Sequence, residues 1–168
     1  MKLRMCSDLP PFARGLERLG AAYFEGTVGL KISGCAFTRI DSNALMLSGY
    51  HRGAVVTDSH FSWTGGTAIA AWGRTDELSD GGIHGYDATP GDIPQGTRIE
   101  NNVMRESGIW EKQSSCFFQA KTAGSVLLRN LCYNLPRAGF NFNARDHNCN
   151  CLQSFDIQLG TCMTSDAV

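Results

Sequence analysis

The sequence predicts an all-β fold, a parallel β-helix solenoid of about four to five coils, and three observations carry that reading. The first is repetition. Ile32-Ser33-Gly34-Cys35-Ala36-Phe37 aligns with Val56-Thr57-Asp58-Ser59-His60-Phe61, with Ile99-Glu100-Asn101-Asn102-Val103-Met104 and with Leu128-Arg129-Asn130-Leu131-Cys132-Tyr133. Each copy opens and closes on a large apolar residue and carries a turn-type residue third. The second is spacing: the copies start 24, 43 and 29 residues apart. Helical repeats need about 34 residues or more and an apolar stripe every 3.6, and leucine-rich repeats need Leu at fixed offsets. The third is local pattern. Apolar residues alternate over short runs broken by Gly, Asn, Asp and Ser, which is how strands and turns are written.

Taken in order, residues 1–27 supply an N-terminal cover or a degenerate first coil, with Phe12, Leu16, Leu19 and Tyr23-Phe24 as its apolar content. A solenoid must hide the apolar surface at its ends. "FARGLERLG" shows a brief helical pattern closed by Gly20. In Leu30-Lys31-Ile32-Ser33, alternation turns Leu30 and Ile32 inward and Lys31 and Ser33 outward. The third-position residues Gly34, Asp58, Asn101 and Asn130 suit a turn at positive φ. Stacked Asn side chains there can hydrogen-bond from coil to coil. Cys35, Phe37, Phe61, Met104 and Tyr133 follow as interior stacks.

A second apolar run follows three of the copies: Ala44-Leu45-Met46-Leu47, Ala68-Ile69-Ala70 and Gly139-Phe140-Asn141-Phe142. The third copy offers only Gly108-Ile109-Trp110, and its step to the fourth is stretched around Glu111–Gln119. The long step holds residues 74–95, a polar, Gly/Pro-rich loop inserted between coils. Residues 1–143 thus form a β-helix stub. Residues 144–168 carry no coil pattern and read as an irregular tail.

Composition narrows the partners. The chain has 168 residues and a net charge of −1, so no long-range field draws nucleic acid to it. No run of about 18 apolar residues exists to cross a membrane as a helix. Asp8 and Pro10-Pro11 interrupt any signal-peptide core, and no N-x-S/T site occurs. Seven cysteines form no regular framework. Cys35, Cys116 and Cys132 fall inside coils, where a thiol packs as a small apolar group. Cys149-Asn150-Cys151, with His147 and Cys162, lacks the paired spacing of a zinc site. Asp76, Glu77, Asp80, His84, Tyr86, Asp87 and Asp92 make the insertion acidic, and calcium is the one cation it would suit; the spaced acidic ligands of a calcium loop are missing. No cofactor is expected.

Residues 20–143 resemble the right-handed parallel β-helix proteins of the pectate-lyase-like superfamily, within them the "right handed beta helix domain" proteins of protists and algae. "LSGYHRG", "GIWEKQSS" and "PRAGFNFN" carry the specific likeness. Such proteins are longer, and their chain runs on from "PRAGINFN" into further coils. The resemblance therefore implies that residues 144–168 are a divergent, truncated or mis-spliced end and that the chain is a fragment. It also implies a polysaccharide partner, an acidic one by the sign of the candidate groove's charges, bound or processed along one strand face.

A lyase needs a base beside a uronate carboxylate, for which Lys112, Arg105, Arg137 and Lys31 are candidates. A glycosidase needs two carboxyl groups about 5–9 Å apart, with Glu106, Glu111, Asp76, Asp80 and Asp87 on offer. None sits in a self-identifying motif. The narrowed catalytic candidates are Lys112, Glu111 and Arg137, and Tyr50, His51, Arg52 and Trp110 are expected to line the same groove. In the bland reading Trp110 is core and the charged residues are solvated turns. The alternative function is a non-catalytic structural segment that self-associates through uncovered coil ends.

Overall fold

The computed structural model describes residues 18–74 and 91–143, together with the backbone of 150–152 and 155–157. Among these residues every regular element is a strand, and every pairing is parallel. The strands, numbered in chain order, fall into three sheets. The first runs β1 (Ala22–Val28), β4 (Leu45–Arg52), β7 (Ile69–Trp72), β11 (Phe117–Ala120) and β14 (Phe140–Asn143), with β8 (Pro94–Gln95) beside the far end of β4. The second runs β2 (Lys31–Ser33), β5 (Val55–Thr57), β9 (Arg98–Glu100), β12 (Val126–Leu128) and β15 (Asn150–Leu152). The third runs β3 (Ala36–Ile40), β6 (His60–Thr64), β10 (Val103–Ser107), β13 (Leu131–Tyr133) and β16 (Phe155–Ile157). Each repeat therefore lays one strand in each sheet before the next repeat begins.

Alternation builds the interior as expected for the first three repeats. Ile32, Val56 and Ile99 share one row, Phe37, Phe61 and Met104 another, and Leu45, Ile69, Phe117 and Phe140 a third. The rows pack as one apolar core, within which the rings of Phe37 and Phe61 stack 4.9 Å apart. Lys31 and Ser33 point to water on either side of buried Ile32.

The fourth repeat is displaced by one residue from the predicted alignment. Leu127, not Leu128, sits over Ile99, and Cys132, not Tyr133, sits over Met104. The turn position is consequently Arg129, at φ 51°, rather than Asn130. Two adjacent leucines leave the alignment ambiguous, and a polar ladder settles it. The Cys35 amide donates to Ser59 Oγ, the Ser59 amide to Asn102 Oδ1, and the Asn102 amide to Asn130 Oδ1. The side chains of Asn102 and Asn130 then donate to the carbonyls of Val56 and Ile99, at 2.9 and 2.8 Å. Asn102 and Asn130 are buried, so a one-residue slip would strand amides away from water. The ladder foreseen for the turn thus exists, one residue later in the first three copies and at Asn130 itself in the fourth, with side-chain amides only at Asn102 and Asn130. Cys35, before the apolar rows deepen, is exposed, whereas Cys116 and Cys132 are buried free thiols.

Three further readings are corrected. The third repeat's strand in the first sheet is Phe117–Ala120, paired with Ile69–Trp72, and not Gly108-Ile109-Trp110. Residues 108–115 form a turn that projects before the chain rejoins the sheet. The 74–95 insertion ends in order: Pro94–Gln95 pairs with His51-Arg52, and residues 75–90 lie outside the described residues. Within the stretch read as an irregular tail, β15 pairs with β12 and β16 with β13. Their alignment places Asp156 opposite Cys132, where every earlier repeat has an apolar residue, so the pattern was masked. The unpaired backbone edges of β12 and β13 are what these strands satisfy.

Candidate functional site

The residues expected in one groove lie at two different corners of the first sheet. Tyr50, His51 and Arg52 close β4, next to the turn into the second sheet. Trp110, Glu111 and Lys112 lie at the other end, where the third sheet passes into the first. Six residue steps, Ala44 to Tyr50, separate the corners, roughly 20 Å at the rise of a β-strand.

At the first corner the side chains are spent on the protein's own backbone. His51 is fully buried. Its Nε2 lies 3.1 Å from the carbonyls of both Phe24 and Ser48, which can only accept, so Nε2 carries the proton. Nδ1 then accepts from the Thr27 hydroxyl at 2.6 Å. Burial lowers the His51 pKa, against the opposing pull of the Phe24 and Ser48 carbonyls and of Glu25 and Asp92. Arg52 donates to the carbonyls of His51, Ile93 and Gly91, pinning the end of the insertion, and its guanidinium covers the Tyr50 ring at 4.1 Å. Arg74 pairs with Glu25 beside them. Together these contacts clasp the end of β4 to β1 and to the end of the insertion.

The second corner displays its aromatics. Trp110 is 73% exposed, so the reading that buried it in the core is excluded. Its amide and that of Glu111 both donate to the Gly65 carbonyl, at 3.1 and 2.9 Å, and the Ile109 amide donates to Thr64. The projecting turn therefore folds back over the preceding repeat. Gly65 permits this approach: a Cβ there would run into the Asp41 carbonyl oxygen and lie 2.6 Å from Trp110 Cδ1. Lys112 donates to the carbonyls of Gly108 and Ile109, closing its own turn, and Ser114 donates to Glu111. Arg137 comes across from the fourth repeat to donate to Gln113 Oε1. The structure thus does bring Trp110, Glu111, Lys112 and Arg137 together.

Trp63, which sequence reasoning missed, belongs to the same corner. Alternation after Phe61 sends residue 63 inward. Instead Trp63 adopts φ 57° and is 47% exposed, while Thr64 turns in and is fully buried. Arg39, Glu106 and Asn134 occupy the same position in their repeats with φ between 51° and 56°. The ladder skips this row: Ser62 pairs with Arg105 and Thr64 with Ser107. The left-handed conformation costs a residue such as Trp about 1–2 kcal/mol. The paired strands bend together at this row, so its side chains turn outward without a change of register. Here the bend turns an indole from the core to water, two residues from the glycine that Trp110 touches. In the same row Asn134 donates to Glu106 Oε1 at 2.8 Å.

Of the other candidates, Arg105 lies on the outer face of the third sheet, 3.4 Å from His60 Nε2, and Lys31 is exposed on the second. Among the described residues, no three His, Cys, Asp or Glu side chains gather to hold a metal. Asp76, Glu77, Asp80, His84, Tyr86, Asp87, His147, Cys149 and Cys162 lie outside the described residues. Comparison with protein-family models, with curated proteins and with solved structures finds no match to the chain.

Proposed function

We propose that the chain is a stretch of right-handed parallel β-helix of the pectate-lyase-like type, and that it binds a polysaccharide at the corner carrying Trp63 and Trp110. The cyclic passage of each repeat through three parallel sheets supports the solenoid reading. One observation carries the binding reading: two tryptophans, 47% and 73% exposed, stand at one corner of adjacent repeats, one of them in a strained conformation that keeps it out of the core. Each of the first four repeats makes the same left-handed turn at this position, and in the second it presents an indole to water. An indole face matches the C–H face of a pyranose ring, and a rigid repeated backbone presents successive rings at a fixed spacing. Glu106, Asn134, Gln113 and Arg137 stand nearby as hydrogen-bonding groups for hydroxyls.

Binding is favoured over catalysis because the acid–base candidates are engaged locally. The Lys112 ammonium donates to two carbonyls of its own turn, and Arg137 is held by Gln113. These contacts suit them to shaping the corner. The polymer is acidic in the reading taken from the charges, and a salt titration separates that from a neutral one.

A glycan array followed by tryptophan-fluorescence titration of the best oligosaccharide tests the proposal. Trp110→Ala and Trp63→Ala should each weaken binding at least about tenfold, since a stacked ring contributes over a kcal/mol. No unsaturated product at 235 nm and no new reducing ends should form. Saccharide binding that survives both substitutions sinks the site; product release would replace binding by catalysis.

A further inference from the structure

The bent row at the aromatic corner carries charge as well as an indole. Arg39, Trp63, Glu106 and Asn134 occupy it in successive repeats, each in the left-handed region. Neighbours in the row belong to paired strands, so they follow one another at roughly 4.8 Å, close to the advance of one pyranose unit along a chain. Arg39 is exposed and, among the described residues, makes no hydrogen bond or ion pair; Asp41, two residues on, does not pair with it. The other described Arg and Lys side chains are engaged, save Lys31, which stands on the outer face of the second sheet.

Elsewhere an arginine beside an aromatic ring closes over it. Arg18 lies 4.6 Å over the Trp72 ring and Arg52 4.1 Å over that of Tyr50. Arg39 and Trp63 make no such contact, although they are neighbours in the row. An open guanidinium and an open ring face therefore stand side by side. One repeat beyond Trp63 the charge reverses. Asn134 donates to Glu106 Oε1 at 2.8 Å, which leaves the second carboxylate oxygen to accept from a ligand.

We infer that the corner selects an anionic sugar followed by a neutral one: the ring stacked on Trp63 turns a carboxylate or sulfate toward Arg39, and the next unit offers hydroxyls to Glu106. This rests on the saccharide reading of the corner and adds the order of charge along the ligand. A guanidinium presents paired N–H groups that match two oxygens of a carboxylate or sulfate. An anionic group on the next unit as well would meet the Glu106 carboxylate, where like charges repel. The row therefore favours a chain in which acidic and neutral sugars alternate over one in which every sugar is acidic.

The test follows tryptophan fluorescence of the full chain against four hexasaccharides. One alternates glucuronate with N-acetylglucosamine, one alternates sulfated galactose with anhydrogalactose, one is galacturonate throughout, and one is uncharged glucose. An alternating hexasaccharide should bind at least about fivefold more tightly than the fully acidic and the uncharged ones. Which of the two alternating chains does so tells a carboxylate from a sulfate. Arg39→Gln should erase that preference and Arg39→Lys should keep part of it. Glu106→Gln should bring the fully acidic chain up toward the alternating one, and Trp63→Ala should weaken every chain that binds. If Trp63→Ala weakens binding while Arg39→Gln leaves the order of preference unchanged, the inference falls and the saccharide corner stands. Tightest binding of the fully acidic or the uncharged chain overturns the inference in the same way. If none of the four binds, the saccharide reading falls and takes the inference with it.

Discussion

The two ends of the first sheet use similar residue types to opposite purposes. At the Tyr50-His51-Arg52 corner, the imidazole and guanidinium satisfy six backbone and side-chain partners: Thr27, Phe24, Ser48, His51, Ile93 and Gly91. At the Trp63–Trp110 corner, glycines draw the backbone close and the indoles are left facing water. A polar residue at a turn is therefore no sign of a site when carbonyls from neighbouring repeats converge on it. A large aromatic residue held outward by its backbone is the better sign.

The comparison can be broken from below, and the largest effect is expected there. Phe61→Ala removes a fully buried ring stacked on Phe37, beneath the aromatic corner, and should cost roughly 3–5 kcal/mol in denaturant unfolding. A smaller loss would mean that the third sheet closes over the gap.

At the clasp, His51→Ala should cost roughly 2–4 kcal/mol, because the Phe24 and Ser48 carbonyls and the Thr27 hydroxyl lose their partner. The native protein should also lose stability as pH falls. Burial lowers the His51 pKa in the folded state, so the unfolded chain binds the proton more readily. The His51 contribution is therefore intact above about pH 6.5 and declines as pH drops from there toward the lower folded-state value. Thermal melts of wild type and His51→Gln across that window should converge at acid pH; parallel curves would remove His51 from the clasp.

Gly65→Ala should cost roughly 1–3 kcal/mol, since the new methyl group meets the Asp41 carbonyl and the Trp110 ring. It should also weaken saccharide binding by moving Trp110. Unaltered stability and binding would show that the corner yields freely. The smallest stability change belongs to Trp110→Ala, within about 0.5 kcal/mol, because the ring is mostly in water. A loss of several kcal/mol would make Trp110 a packing residue and erase the contrast between the corners.

Much of the fold was legible because alternation is a local property. Ile32, Val56 and Ile99, and with them Phe37, Phe61 and Met104, are spaced by the chain itself to fall in register. The failures come where two neighbours compete for one position. Leu127 and Leu128 are equally apolar, and only the Asn102–Asn130 contact chooses between them. Phe117–Ala120 follows so polar a turn that the shorter Gly108-Ile109-Trp110 looked more like the strand. Of the candidate site residues, "GIWEKQSS" and Arg137 meet at one corner, and a long turn over a sheet edge is visible in sequence. Tyr50, His51 and Arg52 lie at the opposite end of β4, a separation that is not written in residue type.

By itself the sequence determined the short parallel strands, the interior rows and the glycine and asparagine turns, since each depends on residues within one repeat. Tertiary structure alone decided that His51 is buried, that Trp63 faces water and that Trp110 lies over Gly65. The burial of His51 and the place of Trp110 depend on carbonyls or side chains contributed by another repeat, some 24 to 45 residues away, and Trp63 is turned outward by its own left-handed backbone.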